Sequence, residues 1–263
     1  MAKRLVLSVD IGNTNTHTGL IDCDALSCLA SEIFPTVDVQ KRLIPSLLSL
    51  VQTQTKNDPK SLPVVLCSVV NDATTAITSL MSKWPFGPTQ RLEWGRHFPI
   101  SVAYQDTQSI GPDRLANCLY GNAAFPGKSQ IIISSGTAIT VDFLKNGSAF
   151  VGGAILPGIS TQLSSLHNHT DALPLVNAAN ADAADLEFPG TSTESGMMSG
   201  VLYGAAGALS FLVNRYRELF GQGSIVLATG GGWKSVEKLV MFDFTYLPEL
   251  TLIGTGLYYK AEK

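Results

Sequence analysis

The chain has 263 residues, of which 45% are hydrophobic and 15% are charged. This balance is typical of a compact globular protein and excludes a disordered one, while a net charge of −3 provides no basic surface for nucleic acid or an anionic membrane. The apolar stretch after Lys3 and Arg4 ends at Asp10 and is too short for a signal peptide, so we expect a cytoplasmic protein. The negative net charge leads us to expect no nucleic-acid partner.

The first half of the chain predicts alternating strands and helices. Pro112 and Asp113 favour a helix start, because proline suits the first turn and a carboxylate suits the positive end of the helix. The predicted elements are a strand pair in "VDIGNTNTHTGLID" (9–22), a helix near 38–54, a buried strand over 62–70, a helix from about 74 to 84, a short strand at 91–94 and a helix over 111–124. The turn-rich "FPGKSQ" that follows predicts a boundary between domains 1–125 and 126–263.

The second half repeats the scheme of the first. Strands alternate over 131–158, helices follow near 159–168 and 193–219, and "SIVLATGGGWKSV" (224–236) predicts a strand that runs into three glycines. Residues 6–16, "VLSVDIGNTNT", superimpose on 130–140, "QIIISSGTAIT", with Gly12 over Gly136 and Asp10 over Ser134. This echo indicates two related halves of an α/β protein.

One segment of the second half has to be weighed as a membrane span. Residues 197–213 carry no charge, and Gly196, Gly200 and Gly204 form the small-residue ridge of membrane helix pairs. Two serines interrupt the segment, and its neighbours are of soluble type. We therefore expect a buried helix that another helix approaches closely, and no membrane.

The four cysteines indicate a reducing compartment. They form neither CxxC pairs nor a disulfide-rich cluster, and for two of them in apolar runs a small buried side chain is a sufficient explanation. They are Cys23, Cys28, Cys67 and Cys118. We expect reduced thiols.

Three glycine turns at strand ends suit a nucleotide. Glycine lets backbone N–H groups approach an anion, and neighbouring Thr and Asn side chains add donors; GxxxxGK[ST] is absent. Asp10 would then bind Mg²⁺ together with the phosphates. Phosphoryl transfer also needs a proton acceptor and a cation, which "GPDR" supplies in Asp113 and Arg114, although each of these features alone also fits an ordinary turn or helix start.

The motifs together resemble the type III pantothenate kinases of the actin-like kinase superfamily. The resemblance covers nearly the whole chain, and few other families carry "GPDRLAN", "GTAITVD" and "GGAILPG" in this order. The matching segments are "DIGNTNT" (10–16), "YQDTQSIGPDRLAN" (104–117), "SSGTAITVD" (134–142), "GGAILPGI" (152–159), "HTDALP" (169–174), "TSTESGMMSG" (191–200), "ATGGG" (228–232) and "PELTLIGTG" (248–256).

The resemblance implies two ribonuclease-H-like domains with the active site in the cleft between them, and a homodimer. It implies ATP-dependent phosphorylation of pantothenate, the first step of coenzyme A biosynthesis, with Mg²⁺ and a monovalent cation, K⁺ or NH₄⁺. Asp113 would be the proton acceptor. ATP would be held by Asp10, Ile11, Gly12, Asn13, Thr14, Asn15, Thr16 and His17 with Gly136 and Thr137, and pantothenate by Tyr104, Gly111, Pro112, Asp113, Arg114 and Thr193.

Two positions depart from the family pattern. The aspartate that binds the monovalent cation is replaced by Ser134, which brings no negative charge, and the lysine that often ends the opening loop is His17. Two hypotheses follow. The first is an active kinase whose cation demand is altered or met by neighbours such as Asp142; the second is a weak or inactive nucleotide-binding relative that acts through a partner. The first is favoured because the other motif residues are present, and a generic sugar or acetate kinase is disfavoured by GPDR.

Overall fold

The computed structural model describes residues 3–70, 77, 84–95, 98–177 and 186–259. The chain divides into two compact units. The first unit comprises Met1–Gly127, Gly147–Ala149 and Glu249–Lys263, and the second comprises Lys128–Asn146 and Phe150–Pro248. The division of the sequence into domains 1–125 and 126–263 stays a prediction; among the described residues, 249–259 group with the first unit.

Eleven strands and five α-helices are defined within the described residues. The strands are β1 (Leu5–Ile11), β2 (Asn15–Asp22), β3 (Ser27–Pro35), β4 (Val64–Ser68), β5 (Thr89–Arg91), β6 (Ser101–Val102), β7 (Gln130–Ser135), β8 (Ala138–Lys145), β9 (Ala149–Pro157), β10 (Ile225–Thr229) and β11 (Thr245–Tyr246). The helices are α1 (Val39–Gln54), α2 (Pro112–Ala124), α3 (Ile159–Asn168), α4 (Thr193–Phe220) and α5 (Leu250–Leu257). The predicted helices near 38–54, 111–124, 159–168 and 193–219 are confirmed, whereas the one expected over 74–84 lies outside the described residues apart from 77 and 84.

The two sheets share one topology, which explains the internal echo of the sequence. The first sheet has the order β3-β2-β1-β4-β5, and the strands of the second unit follow the order β9-β8-β7-β10-β11. In each, the first two strands of the echo pair antiparallel, and the first then pairs parallel with a later strand, β4 or β10. Each unit thus has the strand arrangement of a ribonuclease-H-like domain, and the predicted fold class of two such domains is confirmed.

Alternation along β1 decides which side chains face the core of the first unit. Leu7, Val9 and Ile11 are buried in a cluster to which α1 contributes Leu43 and Leu47. Because side chains of a strand point alternately to opposite faces, the residues between these three, Ser8 and Asp10, point to the other face. The carboxylate is therefore not part of the apolar core.

Helix α5 covers that other face of the first sheet. A Cβ on Gly256 would come within 2.9 Å of the Ser8 hydroxyl, and a Cβ on Gly254 would collide with the carbonyl oxygen of Ala116 in α2. Glycine at these positions lets the backbone of α5 lie directly against β1 and α2. The first unit is therefore completed by a helix from the end of the chain.

Helix α4 packs its apolar side into the core of the second unit. Val201, Leu202 and Leu209 are buried against Ile133 and Phe143 of the second sheet. Among the described residues, α4 is the one helix whose length and composition would allow a membrane crossing. A core helix of a soluble protein passes the same test, and the packing of α4 agrees with the buried helix that the sequence predicts.

Candidate active site

The turn between β1 and β2 is held in shape by hydrogen bonds from the chain that follows β3. Gly12 N–H donates to the carbonyl oxygen of Asn15 at 3.0 Å, and a Cβ at Gly12 would lie 3.1 Å from that oxygen. The hydroxyl of Thr36 donates to the Gly12 carbonyl at 2.7 Å and lies 3.0 Å from the hydroxyl of Thr16. The tip, residues 13–15, is exposed. The predicted glycine turn is confirmed, while Thr36 had no local signal in the sequence.

Asp10 lies at the carboxyl end of β1, between two side chains of neighbouring strands. Its Cα partners are His17 on β2 and Cys67 on β4, so the three side chains project from the same face of the sheet. The Cys67 thiol donates a hydrogen bond to the Asp10 carboxylate. Burial, and then the negative charge of Asp113, raise the pKa of Asp10 to about 7, and the thiol opposes this shift.

Asp113 lies in the first turn of α2, as the sequence predicts. Gly111 is the residue before the helix and Pro112 its first residue; a Cβ at Gly111 would be 2.5 Å from Asp113 Oδ1. Burial raises the pKa of Asp113, against the hydrogen bond from the Arg114 N–H and the charge of the Arg114 guanidinium. Arg114 is itself buried. The helix start thus holds a carboxylate and a cation side by side.

Asp10 and Asp113 form a like-charged pair within the first unit. They come from different elements, and their mutual repulsion contributes to the raised pKa of Asp10. Two carboxylates in such a setting are relieved by a shared proton or by a cation. The Asp10 carboxylate, a hard oxygen ligand next to an exposed glycine turn, fits a Mg²⁺ ion that keeps most of its contacts for water and phosphate.

His17 lies opposite Asp10 on β2, and Tyr104 belongs to the same unit. Burial lowers the pKa of His17, with the nearby Glu249 opposing the shift, so the imidazole is neutral at physiological pH. The histidine therefore does not supply the positive charge of a lysine. Tyr104 is 37% exposed and accessible to a ligand.

The second unit contains the matching turn between β7 and β8. Gly136 N–H donates to the Ala138 carbonyl at 2.9 Å, and the Thr137 carbonyl accepts from Gly158 N–H at 2.9 Å and from the Thr161 hydroxyl at 2.7 Å. The third glycine turn lies against it, because a Cβ on Gly230, whose φ is +90°, would collide with the Ser135 carbonyl oxygen. The structure thus brings two of the predicted turns together inside this unit.

The strand partners of Ser134 carry hydroxyl groups. Its Cα partners are Thr140 on β8 and Thr229 on β10. The Thr140 hydroxyl is buried without a hydrogen-bond partner, and the Thr229 hydroxyl donates to the carbonyl of Pro248 at 3.3 Å. Asp142 is fully buried and pairs with Ile132, two residues further along the same strands and on the same face of the sheet as Ser134. Within the described residues no group of three or more His, Cys, Asp or Glu side chains is arranged to hold a metal.

Thr193 is the first residue of α4. The Ser192 hydroxyl accepts a hydrogen bond from Ser195 N–H at 3.1 Å, and the Ser195 hydroxyl accepts one from Ser192 N–H at 3.0 Å. This capping box fixes the helix start and leaves Thr193 exposed. Thr193 is available to a ligand of the second unit.

The paired ribonuclease-H-like topology with glycine turns after β1 and β7 defines an actin-like fold. The chain is similar in structure to a Baf family transcriptional activator from Campylobacter jejuni, at a TM-score of 0.59 and 20% identity over 95% of this chain and 94% of the other. It is also similar to the ethanolamine utilization protein EutJ from Carboxydothermus hydrogenoformans, at a TM-score of 0.56 and 12% identity over 98% and 91%. At these identities the similarity concerns the fold alone.

Comparison of the sequence gives the family. The type III pantothenate kinase family model matches residues 6–215. The type III pantothenate kinase of Dehalococcoides mccartyi strain 195 is 31% identical over 100% of both chains, and that of Legionella pneumophila strain Corby is 29% identical over 96% of this chain and 97% of its own. The chain belongs to the type III pantothenate kinase family. It is an enzyme, a kinase of coenzyme A biosynthesis that uses ATP and a small-molecule substrate.

Proposed function

We propose that the protein transfers the γ-phosphoryl group of ATP to the primary hydroxyl of pantothenate, with Asp113 as general base. The observation that carries the proposal is the Asp113–Arg114 pair at the start of α2, in the same unit as the Asp10 turn. Burial raises the pKa of Asp113, which makes its carboxylate a better proton acceptor, and the charge of the Arg114 guanidinium opposes this rise.

In the proposed reaction, one proton moves to Asp113 and the γ-phosphoryl group moves to the hydroxyl oxygen. The hydroxyl proton passes to the Asp113 carboxylate as the hydroxyl oxygen forms its bond to the γ-phosphorus. The bond between that phosphorus and the bridging oxygen breaks, and ADP leaves with the electron pair. The Arg114 guanidinium offsets the charge that develops beside the base. We assign pantothenate binding to Tyr104, Gly111, Pro112, Asp113, Arg114 and Thr193.

The ATP phosphates are assigned to the glycine turns. The exposed tip at 13–15 and the restrained backbone of Gly12 support binding of an anion by residues 10–17, and the turn at Gly136 and Thr137 supports a second contact. Asp10 would hold Mg²⁺ through the phosphates, and the ion would supply charge neutralisation of the phosphoryl group when bound.

The monovalent cation that the family resemblance implies does not fit the residues at Ser134. A serine with two threonines as strand partners provides hydroxyl oxygens without a negative charge, and the Thr140 hydroxyl has no partner to orient it. Neutral hydroxyl oxygens attract a K⁺ or NH₄⁺ ion less strongly than a carboxylate would. We propose that the kinase works without either cation.

A homodimer is supported by the exposed side of α4. Gly200, Gly204 and Gly207 lie along this side, and a Cβ at any of them would meet open space. Phe211, 69% exposed, and Tyr203, 39% exposed, flank the glycines. Small residues let two backbones approach closely, and aromatic side chains favour an interface, so we assign this side to a second copy in a cytoplasmic dimer.

The assignment of the base is tested with Asp113→Asn. Coupled measurement of ADP release with pantothenate should show a fall in kcat of roughly 10²- to 10⁴-fold, as expected for loss of a general base. Calorimetry should show nucleotide binding changed by less than about threefold, because Asp113 is not assigned to the phosphates. Near wild-type turnover would remove Asp113 from the mechanism, and absence of turnover in the wild type would refute the pantothenate kinase activity itself.

A further inference from the structure

A chain of polar contacts crosses the first unit beneath the assigned base and metal ligand. It starts at the Asp10 carboxylate, which accepts from the Cys67 thiol, and the same sulfur packs against the Thr255 hydroxyl. Thr255 donates to the Thr251 carbonyl at 2.8 Å, and the Thr251 hydroxyl donates to Asn117 Oδ1 at 2.8 Å. We call these five residues the polar chain.

The two ends of the polar chain are the two elements that carry the reacting carboxylates. Asp10 belongs to β1, while Asn117 lies four residues after Asp113 in α2 and therefore on the same side of that helix. Asn117 is 1% exposed, and Cys67 and Thr255 are fully buried. Buried polar groups are rigid when each finds a partner, so the contacts fix the position of α5 against both elements.

Helix α5 is suited to link these elements because its backbone lies so close to them. A Cβ on Gly254 would collide with the Ala116 carbonyl, next to Asn117, and Gly256 leaves only the room of a hydrogen beside Ser8. Because the α5 backbone lies directly against these neighbours, rearrangement of side chains alone cannot accommodate a shift of α5. Movement of α2 relative to β1 therefore has to break the polar chain.

We propose that Cys67 and Thr251 are positioning residues that hold the Asp10 carboxylate and helix α2, with Asp113, at a fixed separation. The inference rests on the proposed function, in which the two carboxylates serve one phosphoryl transfer. Repulsion between these carboxylates favours their separation in the absence of a cation. The polar chain opposes that separation, so the pair is preorganised before the nucleotide binds.

The test compares Cys67→Ala and Thr251→Val with the conservative variants Cys67→Ser and Thr251→Ser. We expect kcat to fall roughly tenfold in Cys67→Ala, the size of one hydrogen bond to a charged group, and roughly fivefold in Thr251→Val, which loses a neutral hydrogen bond. KM for pantothenate should change by less than about twofold in both. The serine variants keep a donor and should retain most of the activity. The double variant should be slower than Cys67→Ala by less than about twofold, because both changes break one chain.

Cys23→Ala is the matched control. The Cys23 thiol is buried and contacts the same helix, at 3.5 Å from the Gly256 carbonyl, but it is not part of the polar chain. It should alter the melting temperature and leave kcat unchanged. A loss of kcat in Cys23→Ala equal to that in Cys67→Ala, or no rescue by serine, would overturn the inference and leave a packing role.

A second readout separates this inference from the proposed function. Calorimetric titration with Mn²⁺ and a non-hydrolysable ATP analogue should show weaker binding to Cys67→Ala than to the wild type and to Cys67→Ser. If the wild type does not phosphorylate pantothenate but this order of affinities holds, the proposed function fails. The positioning of the Asp10 carboxylate by the polar chain is then still supported. If the wild type is active and Cys67→Ala matches it in turnover and affinity, the inference fails alone.

Discussion

Replacing Asp10 with asparagine should stabilise the ligand-free protein, and more so at high pH. The asparagine removes a half-buried negative charge that lies close to a second one, while keeping the size of the side chain. The pKa of Asp10 rises from 3.8 to about 7 on folding, which corresponds to at most about 4 kcal/mol at 1.36 kcal/mol per pKa unit. Contact of the carboxylate with water reduces this to about 1–2 kcal/mol.

The sign of the pH dependence follows from proton binding. Between pH 4 and 7 the folded protein holds the proton of Asp10 more tightly than the unfolded chain, so the free energy of unfolding falls as the pH rises through this window. Above pH 7 the penalty is complete, and below pH 4 it is absent. Asp10→Asn lacks it at every pH, so the difference in stability grows from pH 5.5 to pH 8.

Scanning fluorimetry without Mg²⁺ measures this difference. We expect Asp10→Asn to melt about 2–5 °C above the wild type at pH 8, with roughly half of that gain at pH 5.5. Exposed Asp171→Asn is the control and should change neither value. A variant that is less stable than the wild type by the same amount at both pH values would show that the carboxylate is satisfied in the fold, and the repulsion argument would be refuted.

Two further predictions follow from the second unit. Ser134→Asp should create a dependence on K⁺ or NH₄⁺ that the wild type lacks, because a carboxylate then joins Thr140 and Thr229. Turnover measured in potassium, ammonium and tetramethylammonium salts checks this dependence. Equal activation of the wild type by potassium would contradict the prediction. Gly204→Glu should give a folded monomer, because the Cβ of the glutamate meets open space and its charge opposes burial at the assigned dimer interface. Light scattering that shows an unchanged dimer would exclude this side of α4 as the interface.

The parts of the site that the sequence predicts are those encoded by short segments. Gly12 and Gly136 each turn a hairpin, and Pro112 with Asp113 starts a helix, since backbone conformation and the helix dipole act over a few residues. The strand topology follows from the echo between the two hairpins. The dimer, the cation preference and the ligand contacts have no such local code and remain predictions.

The surroundings of these residues depend on contacts between distant segments, which the sequence alone does not predict. The sequence predicts that Cys67 is a small buried hydrophobic residue, because the run around it is apolar. In the structure, parallel pairing of β4 with β1 places its thiol against Asp10. Thr255 reads as one polar residue in an apolar helix, yet it contacts that thiol. A buried polar residue in an apolar run needs a partner, and the partner is fixed by strand register and helix packing. The residues that tune a reacting group are therefore predictable in kind, as isolated buried donors, and identifiable only once the fold has brought them to it.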